Sequence, residues 1–189
     1  MDLILKKGRP EIMDGREEKE VKCYDFLDGL GVEYYHVDHR SMPADTMEAC
    51  VAVDKALDCK ICKNLFLCNR QKTDFYLLMM PADKPFKTKD LTAQINSARL
   101  SFAYSDAMLK YLNIAPGAVS VLGLMNDTEC GVRLLVDKDI LSDEYIGCHP
   151  CVNTTSMKIK TDDIFDKIIS ATNHTKTVVE LPWYTELNQ

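Results

Sequence analysis

The chain has 189 residues, 46% apolar and 28% charged, which are globular proportions and exclude a collagen-like, low-complexity or disordered chain. Lys and Arg number 23 against 29 Asp and Glu, a net charge of −6. This argues against sequence-independent binding of duplex DNA, which needs a basic surface to meet many phosphates. The longest uncharged stretch, Tyr111 to Asn126, is interrupted by Asn113, Pro116 and Gly117 and is too short to cross a membrane. The three apolar residues after Asp2 do not make a signal-peptide core. The expectation is therefore one domain over 1–189, in the cytoplasm, with no membrane and no DNA as partner.

In chain order, Arg16 to Leu30 reads as a helix with Val21, Tyr24, Leu27 and Leu30 on one face, capped by Gly31. Glu33 to Val37 reads as a strand. Asp45-x-x-Glu48 is a capping box for a helix through Leu57. Asn64 to Cys68 and Phe75 to Met80 are two strands joined by the polar turn Asn69 to Asp74. Thr88 to Ile95 and Ser105 to Leu112 are short helices. Ala118 to Leu124 and Val132 to Val136 read as a strand pair around Asn126-Asp127. Thr154 to Lys160 is a strand, Thr161 to Ala171 an amphipathic helix with Ile164, Phe165 and Ile168 inward, and Thr177 to Leu181 a closing strand. Helices alternating irregularly with hairpin-like pairs predict an α/β protein of the α+β type, with a mixed, largely antiparallel sheet surrounded by helices. No Gly-rich phosphate loop follows a strand, so a doubly wound fold is not expected.

Eight cysteines include two pairs with metal-site spacing, Cys59-x-x-Cys62 and Cys148-x-x-Cys151. The pairs are far apart in sequence and lack a Gly-rich knuckle. No bound metal and no cofactor are expected, and free thiols are the default reading; a zinc or thiol-redox protein is one rival. No Gly-x-Ser-x-Gly elbow, His-Glu-x-x-His motif or Walker loop is present. Of four histidines, His36, His39 and His174 read as structural or surface residues. His149 stands beside the stiffening Pro150 and before Asn153, where a neutral imidazole can handle a proton near pH 7. Lys63-Asn64 places a cation and an amide at the mouth of an apolar strand. Side chains alternate there, so one faces inward or the strand bends, and a lysine at a cleft attracts phosphate or a developing oxyanion. Gly117 permits close backbone approach to a ligand or a tight turn. Lys84, Lys87 and Lys89 beside Phe86 form a small basic cluster, read either as a solvated turn or as a local nucleic-acid contact.

Three segments occur in order: Lys63-Asn64-Leu65-Phe66-Leu67, then Pro116-Gly117-Ala118-Val119-Ser120 with Leu124-Met125-Asn126-Asp127, then His149-Pro150-Cys151-Val152-Asn153-Thr154. In this the chain resembles, from about Glu17 to Ile169, the free-standing aminoacyl-tRNA deacylases of the YbaK/ProX type, related to the editing insertion domain of bacterial prolyl-tRNA synthetase. Two positions depart from the family's Pro-Gly-Ser-Val-Thr-Pro run: Ala118 replaces its serine and Val121 its second proline. The resemblance implies the editing-domain fold and a pocket for the 3′-terminal aminoacyl-adenosine. It implies trans-editing hydrolysis of mischarged proline tRNA, most of all its alanyl ester, by a monomer or weak homodimer whose partner is the tRNA acceptor end. Lys63 would hold the phosphate or ribose region, and Asn64 would orient the ligand. Gly117 and Ala118 would bring backbone amides to the carbonyl. His149 would shape the pocket or steer water, and Asn153 would secure its loop. Lys84, Lys87 and Lys89 would touch the acceptor stem. The other rival is a sensor of aminoacyl groups or amino acids with the same fold.

Overall fold

The computed structural model describes residues 3–40 and 47–184. In order, the elements are β1 (Lys6–Lys7), α1 (Glu18–Gly29), β2 (Tyr34–Asp38), α2 (Met47–Leu57), β3 (Lys63–Asn69), β4 (Phe75–Met80), α3 (Thr88–Gln94), β5 (Leu100–Phe102), α4 (Ser105–Leu112), β6 (Val132–Asp137), β7 (Tyr145–Cys148), β8 (Thr155–Lys160), α5 (Ile169–Ala171) and β9 (Lys176–Val179). A 3-10 helix spans Val121–Asn126, another Lys138–Ser142, and a π-helical stretch Asp163–Ile168 leads into α5. The Asp45 cap lies outside the described residues.

The α+β class is as expected, but the strands divide into two sheets. One runs β1-β2-β8-β7 and is antiparallel throughout; the other runs β5-β3-β4-β6-β9, with β4–β6 and β6–β9 parallel. The period-two alternation of side chains explains the layers. On β3 and β4, Phe66, Cys68, Leu77 and Met79 enter the large central core with Cys23, Tyr24 and Leu27 of α1. Leu67, Tyr76, Leu78 and Met80 enter a second core under Leu91 of α3. Val37 of β2 meets Val53 and Leu57 of α2 in a third. Apolar helices and loops thus cover both faces of each sheet.

Local chemistry sets the ends. The helix α1 stops at Gly31, whose φ is 63°; Gly31 N–H bonds Asp28 O and Val32 N–H bonds Leu27 O, the Schellman pattern. Val21 and Leu30 are only half-buried, while Glu20 is buried because it pairs with Arg16. Asn69 closes the β3–β4 turn by accepting from the Thr73 and Asp74 amides at 2.9 and 3.2 Å.

The expected strand from Ala118 to Leu124 is not formed. Ala115-Pro116-Gly117-Ala118 makes a turn, with Gly117 at φ 91° and Ala118 N–H bonded to Ala115 O at 3.3 Å. Pro at the second position and a positive-φ glycine at the third suit a type II turn. Ser120 then caps the 3-10 helix by accepting from Leu122 N–H. Val121, Leu122, Gly123 and Leu124 are all buried, so the apolar run carries no period to separate strand from buried helix. With no hairpin partner before it, β6 pairs in parallel with β4 and β9.

Candidate active site

Among the described residues, one bridge outside the named strands joins the two sheets. Ile61 pairs in parallel with Gly147: Cys62 N–H bonds Gly147 O at 3.0 Å and Gly147 N–H bonds Lys60 O at 3.0 Å. Only glycine fits, because a Cβ at 147 would stand 2.7 Å from Ile61 Cα and 2.8 Å from Lys60 O. Lys63 and His149 each lie two residues past this bridge. At this seam Cys62 and Cys148, each one residue past the bridge, both enter the central core, and alternation turns Lys63 away from that core.

At that seam Lys63 is half-buried, and its Nζ donates to the Lys84 carbonyl at 2.8 Å. Burial lowers its pKa from the ordinary 10.5, with Asp83 pulling the other way. Asn64 turns back toward Cys62, donating to its carbonyl at 3.2 Å and its Sγ at 3.4 Å. The Oδ1 of Asn64 is buried with no hydrogen-bond partner.

The Pro116-Gly117 turn and the His149 loop pack together. A Cβ at Gly117 would come 3.9 Å from Asn153 Nδ2, and burial pushes the Cys148 thiol pKa up while nearby Ser120 acts the other way. Cys151 holds φ 61°, the kink that folds the His149–Asn153 segment back before β8. His149 is partly exposed; its Nδ1 lies 3.1 Å from Thr155 O and 3.2 Å from Ser156 Oγ. Burial lowers its pKa; the Thr155 carbonyl acts the other way and nearby His39 adds to the lowering. Its imidazole is accordingly neutral at pH 7. Behind this loop, Thr155 Oγ1 lies 3.0 Å from Glu20 Oε1 and 2.9 Å from Asp38 Oδ1, donating its one proton to one or the other, and Arg16 pairs with both carboxylates.

The bridge thus sets the strand end that carries Lys63 and Asn64 beside the β7 end that leads into the His149–Asn153 loop, and that loop meets the Gly117 turn through Asn153; Asn64 turns to the Cys62 side of β3 and Lys63 to the Lys84 carbonyl. Ala118 adjoins Gly117, but its amide already closes the turn onto Ala115, so it is not a free donor for a carbonyl oxygen. Ala118 and Val121 both pack into the central core. The lysine cluster also needs correction. Lys84 is fully buried, its Nζ 2.7 Å from Asp137 Oδ2 and 2.8 Å from Asp139 Oδ2; its charge is consumed inside the fold and cannot meet a phosphate. Lys87 and Lys89 remain exposed and line one cleft with Arg99, a cation that sequence reading missed.

The cysteines assemble along the core. Cys23 and Cys151 stand 3.5 Å apart through their sulfurs, and Cys148 lies within electrostatic reach of Cys62, Cys59 and Cys151. Burial pushes the Cys59 and Cys62 thiols up to about 12, which keeps them protonated and weakly nucleophilic. Among the described residues no group of three or more His, Cys, Asp or Glu side chains is placed to hold a metal ion.

The fold is that of an editing domain: the chain belongs to the aminoacyl-tRNA editing domain family, which matches residues 41–167. It is 32% identical over 155 residues to the prolyl-tRNA editing protein ProX of Acetoanaerobium sticklandii, covering 82% of this chain and 93% of that one. It is 27% identical over 169 residues to prolyl-tRNA synthetase associated domain-containing protein 1 of Danio rerio, covering 88% of each. A solved structure described as a candidate trans-editing enzyme for prolyl-tRNA synthetase superposes with TM-score 0.63 at 13% identity, over 89% of this chain and 100% of that one. No helix among the described residues is long and apolar enough to cross a membrane.

Proposed function

We propose that this chain is a trans-editing deacylase that hydrolyses the aminoacyl ester of mischarged proline tRNA, the alanyl ester above all. The observation that supports the reading is the Ile61–Gly147 bridge, which ties the backbone leading into Lys63–Asn64 to the backbone leading into the His149–Asn153 loop, with the Gly117 turn packed on that loop. An aminoacyl ester is already activated, so positioned water and a stabilised oxyanion suffice without a nucleophile triad. Water attacks the ester carbonyl carbon, the bond to the ribose oxygen breaks, and a free amino acid and an uncharged 3′ end leave.

Lys63 supplies positive charge to the terminal phosphate or the developing oxygen anion. The unpartnered Oδ1 of Asn64 is an acceptor for a donor on the bound aminoacyl-adenosine. Gly117 lets the ligand approach the backbone, and its amide takes the donor role that Ala118 cannot. Neutral His149 steers water, and Asn153 holds the two loops in contact. Discrimination against prolyl ester works by exclusion of the larger ring, since attraction to one methylene is worth only about 1–3 kcal/mol. Lys87, Lys89 and Arg99 meet acceptor-stem phosphates, a contact that is weak and salt-sensitive on a chain of net charge −6. The whole chain works as one editing domain in the cytoplasm, as a monomer or weak homodimer.

The test is a deacylation assay on proline tRNA charged separately with alanine, cysteine, serine and proline. Rapid loss of the alanyl ester with the prolyl ester largely spared is the expected result. Equal hydrolysis of both, or of neither, overturns the reading.

A further inference from the structure

Behind the His149 ring lies a hydrogen-bonded chain that the proposed chemistry does not yet use. Ser156 Oγ sits 3.2 Å from His149 Nδ1 and 2.9 Å from His39 Nε2. The two imidazoles flank it with centroids 6.4 Å apart and planes at 63°. Ser156 and His39 are buried, at 0% and 1% exposure. The chain is tied to the fold at both ends: His39 N–H bonds Thr154 O at 2.9 Å, and β8 pairs Ser156 with Val37.

One hydroxyl proton cannot serve two ring nitrogens, and the Thr155 carbonyl decides which one it serves. That carbonyl lies 3.1 Å from His149 Nδ1 and can only accept. If Nδ1 were bare, its lone pair would face the carbonyl oxygen. Nδ1 therefore carries the proton and donates toward Thr155 O and Ser156 Oγ. The Ser156 hydroxyl proton is then directed at His39 Nε2. The carbonyl is itself held in place, because the Thr155 side chain is anchored by Glu20 and Asp38, each paired with Arg16. These three are the charged groups behind the relay, and they are separated from it by the β8 backbone.

We propose that Ser156 and His39 are positioning residues of the active site: the His39–Ser156–His149 relay fixes His149 as the Nδ1–H tautomer and leaves Nε2 bare to accept a hydrogen bond from the attacking water. The proposal rests on the deacylase reading for what the tautomer accomplishes, but not for whether the tautomer exists. No described residue hydrogen-bonds His149 Nε2, and the ring is partly exposed, so water can reach it. Neither residue touches substrate; both act through His149.

The experiment joins long-range 15N–1H spectra of the histidine rings to deacylation kinetics, on the wild-type chain and on Ser156→Ala, Ser156→Thr and His39→Phe, with the His149 signals assigned by their loss in His149→Gln. In wild type at neutral pH, His149 is expected as the Nδ1–H form. Ser156→Ala is expected to admit the Nε2–H form and lower kcat about five-fold with KM nearly unchanged, the size of one lost hydrogen bond. His39→Phe is expected to act in the same direction, and Ser156→Thr, which keeps the hydroxyl, to restore both readouts. A wild-type His149 found as Nε2–H overturns the proposal without any variant, whether or not the variants fold. So does Ser156→Ala with tautomer and kcat both unchanged. If wild type hydrolyses none of the esters, the deacylase reading fails while the spectra still decide the relay.

Discussion

At the scale of single residues, Lys63 and His149 carry unequal weights. Lys63 brings a full charge to a polyanion, and its burial strengthens that charge's field while making it easier to neutralise. His149 is neutral, and a water molecule can replace part of what its ring does. Lys63→Ala is expected to lower kcat/KM about 10²-fold, the cost of an oxyanion-stabilising group. His149→Ala is expected to cost about ten-fold, measured on alanyl-tRNA under the same conditions. An inactive His149→Ala beside a near-normal Lys63→Ala would reverse the two roles. The sequence singled out both residues. It could not show that Lys84, three positions before Lys87, is drawn inside between Asp137 and Asp139, because those carboxylates arrive from the other end of the chain. Ser156 and His39 carried no motif for the same reason, since a relay between strand ends has no sequence spacing.

Among elements, the junction of β7 with the residues before β3 ties the segment leading into Lys63 to the segment leading into His149. Gly147 has backbone atoms of Lys60 and Ile61 in the space a methyl group would need, and backbone cannot swing aside as a flexible side chain can. Gly147→Ala is expected to destabilise the protein by about 1–3 kcal/mol, the usual cost of overpacking, and to lower deacylation by disturbing the bridge between the two segments. Gly29→Ala is the matched control: it is helical, and no atom lies within 4 Å of its would-be Cβ, so it should be neutral or stabilising by about 0.5–1 kcal/mol. Urea denaturation of the two variants measures the difference. Strands β3, β4, β6 and β8 were legible because each alternates into defined cores. Short strands β1, β5 and β7 were not, because two to four residues give no measurable period.

For the molecule as a whole, histidines held neutral in the fold tie stability to pH. Burial lowers the pKa of His36 and of His149 from the ordinary value of 6.5. Below pH 6.5 the unfolded chain therefore takes up protons that the folded chain refuses, and stability falls as pH falls through that value. The groups facing His36 are Asp38, which favours its charged form, and Arg16 and Lys6, which oppose it. Asp38 adds a separate loss further down: burial alone would raise its pKa, but the Arg16 and Thr155 hydrogen bonds prevail and lower it below 3.8. Its stabilisation is present above that value and is lost as pH falls through the lowered one. Urea midpoints are expected to drop between pH 7.5 and 5.5, with a shallower drop in His36→Phe. A flat profile across that interval would contradict the folding of both rings as neutral groups.

What the sequence determined by itself was the local grammar: the α1 face and its Gly31 stop, the polar turn between β3 and β4, and the three short segments that resemble an editing domain. These follow from contacts between residues close in the chain, where periodicity and turn chemistry act. What only the tertiary structure decided was where those segments meet. The run from Ala118 to Leu124 became a turn and a 3-10 helix because packing on every side erased its period. The segments before Lys63 and His149 were joined through the bridge at Gly147, and Lys84 left the surface for two distant carboxylates. Each of these outcomes depends on bringing together residues far apart in the chain, and that is settled by which buried groups can be satisfied at once.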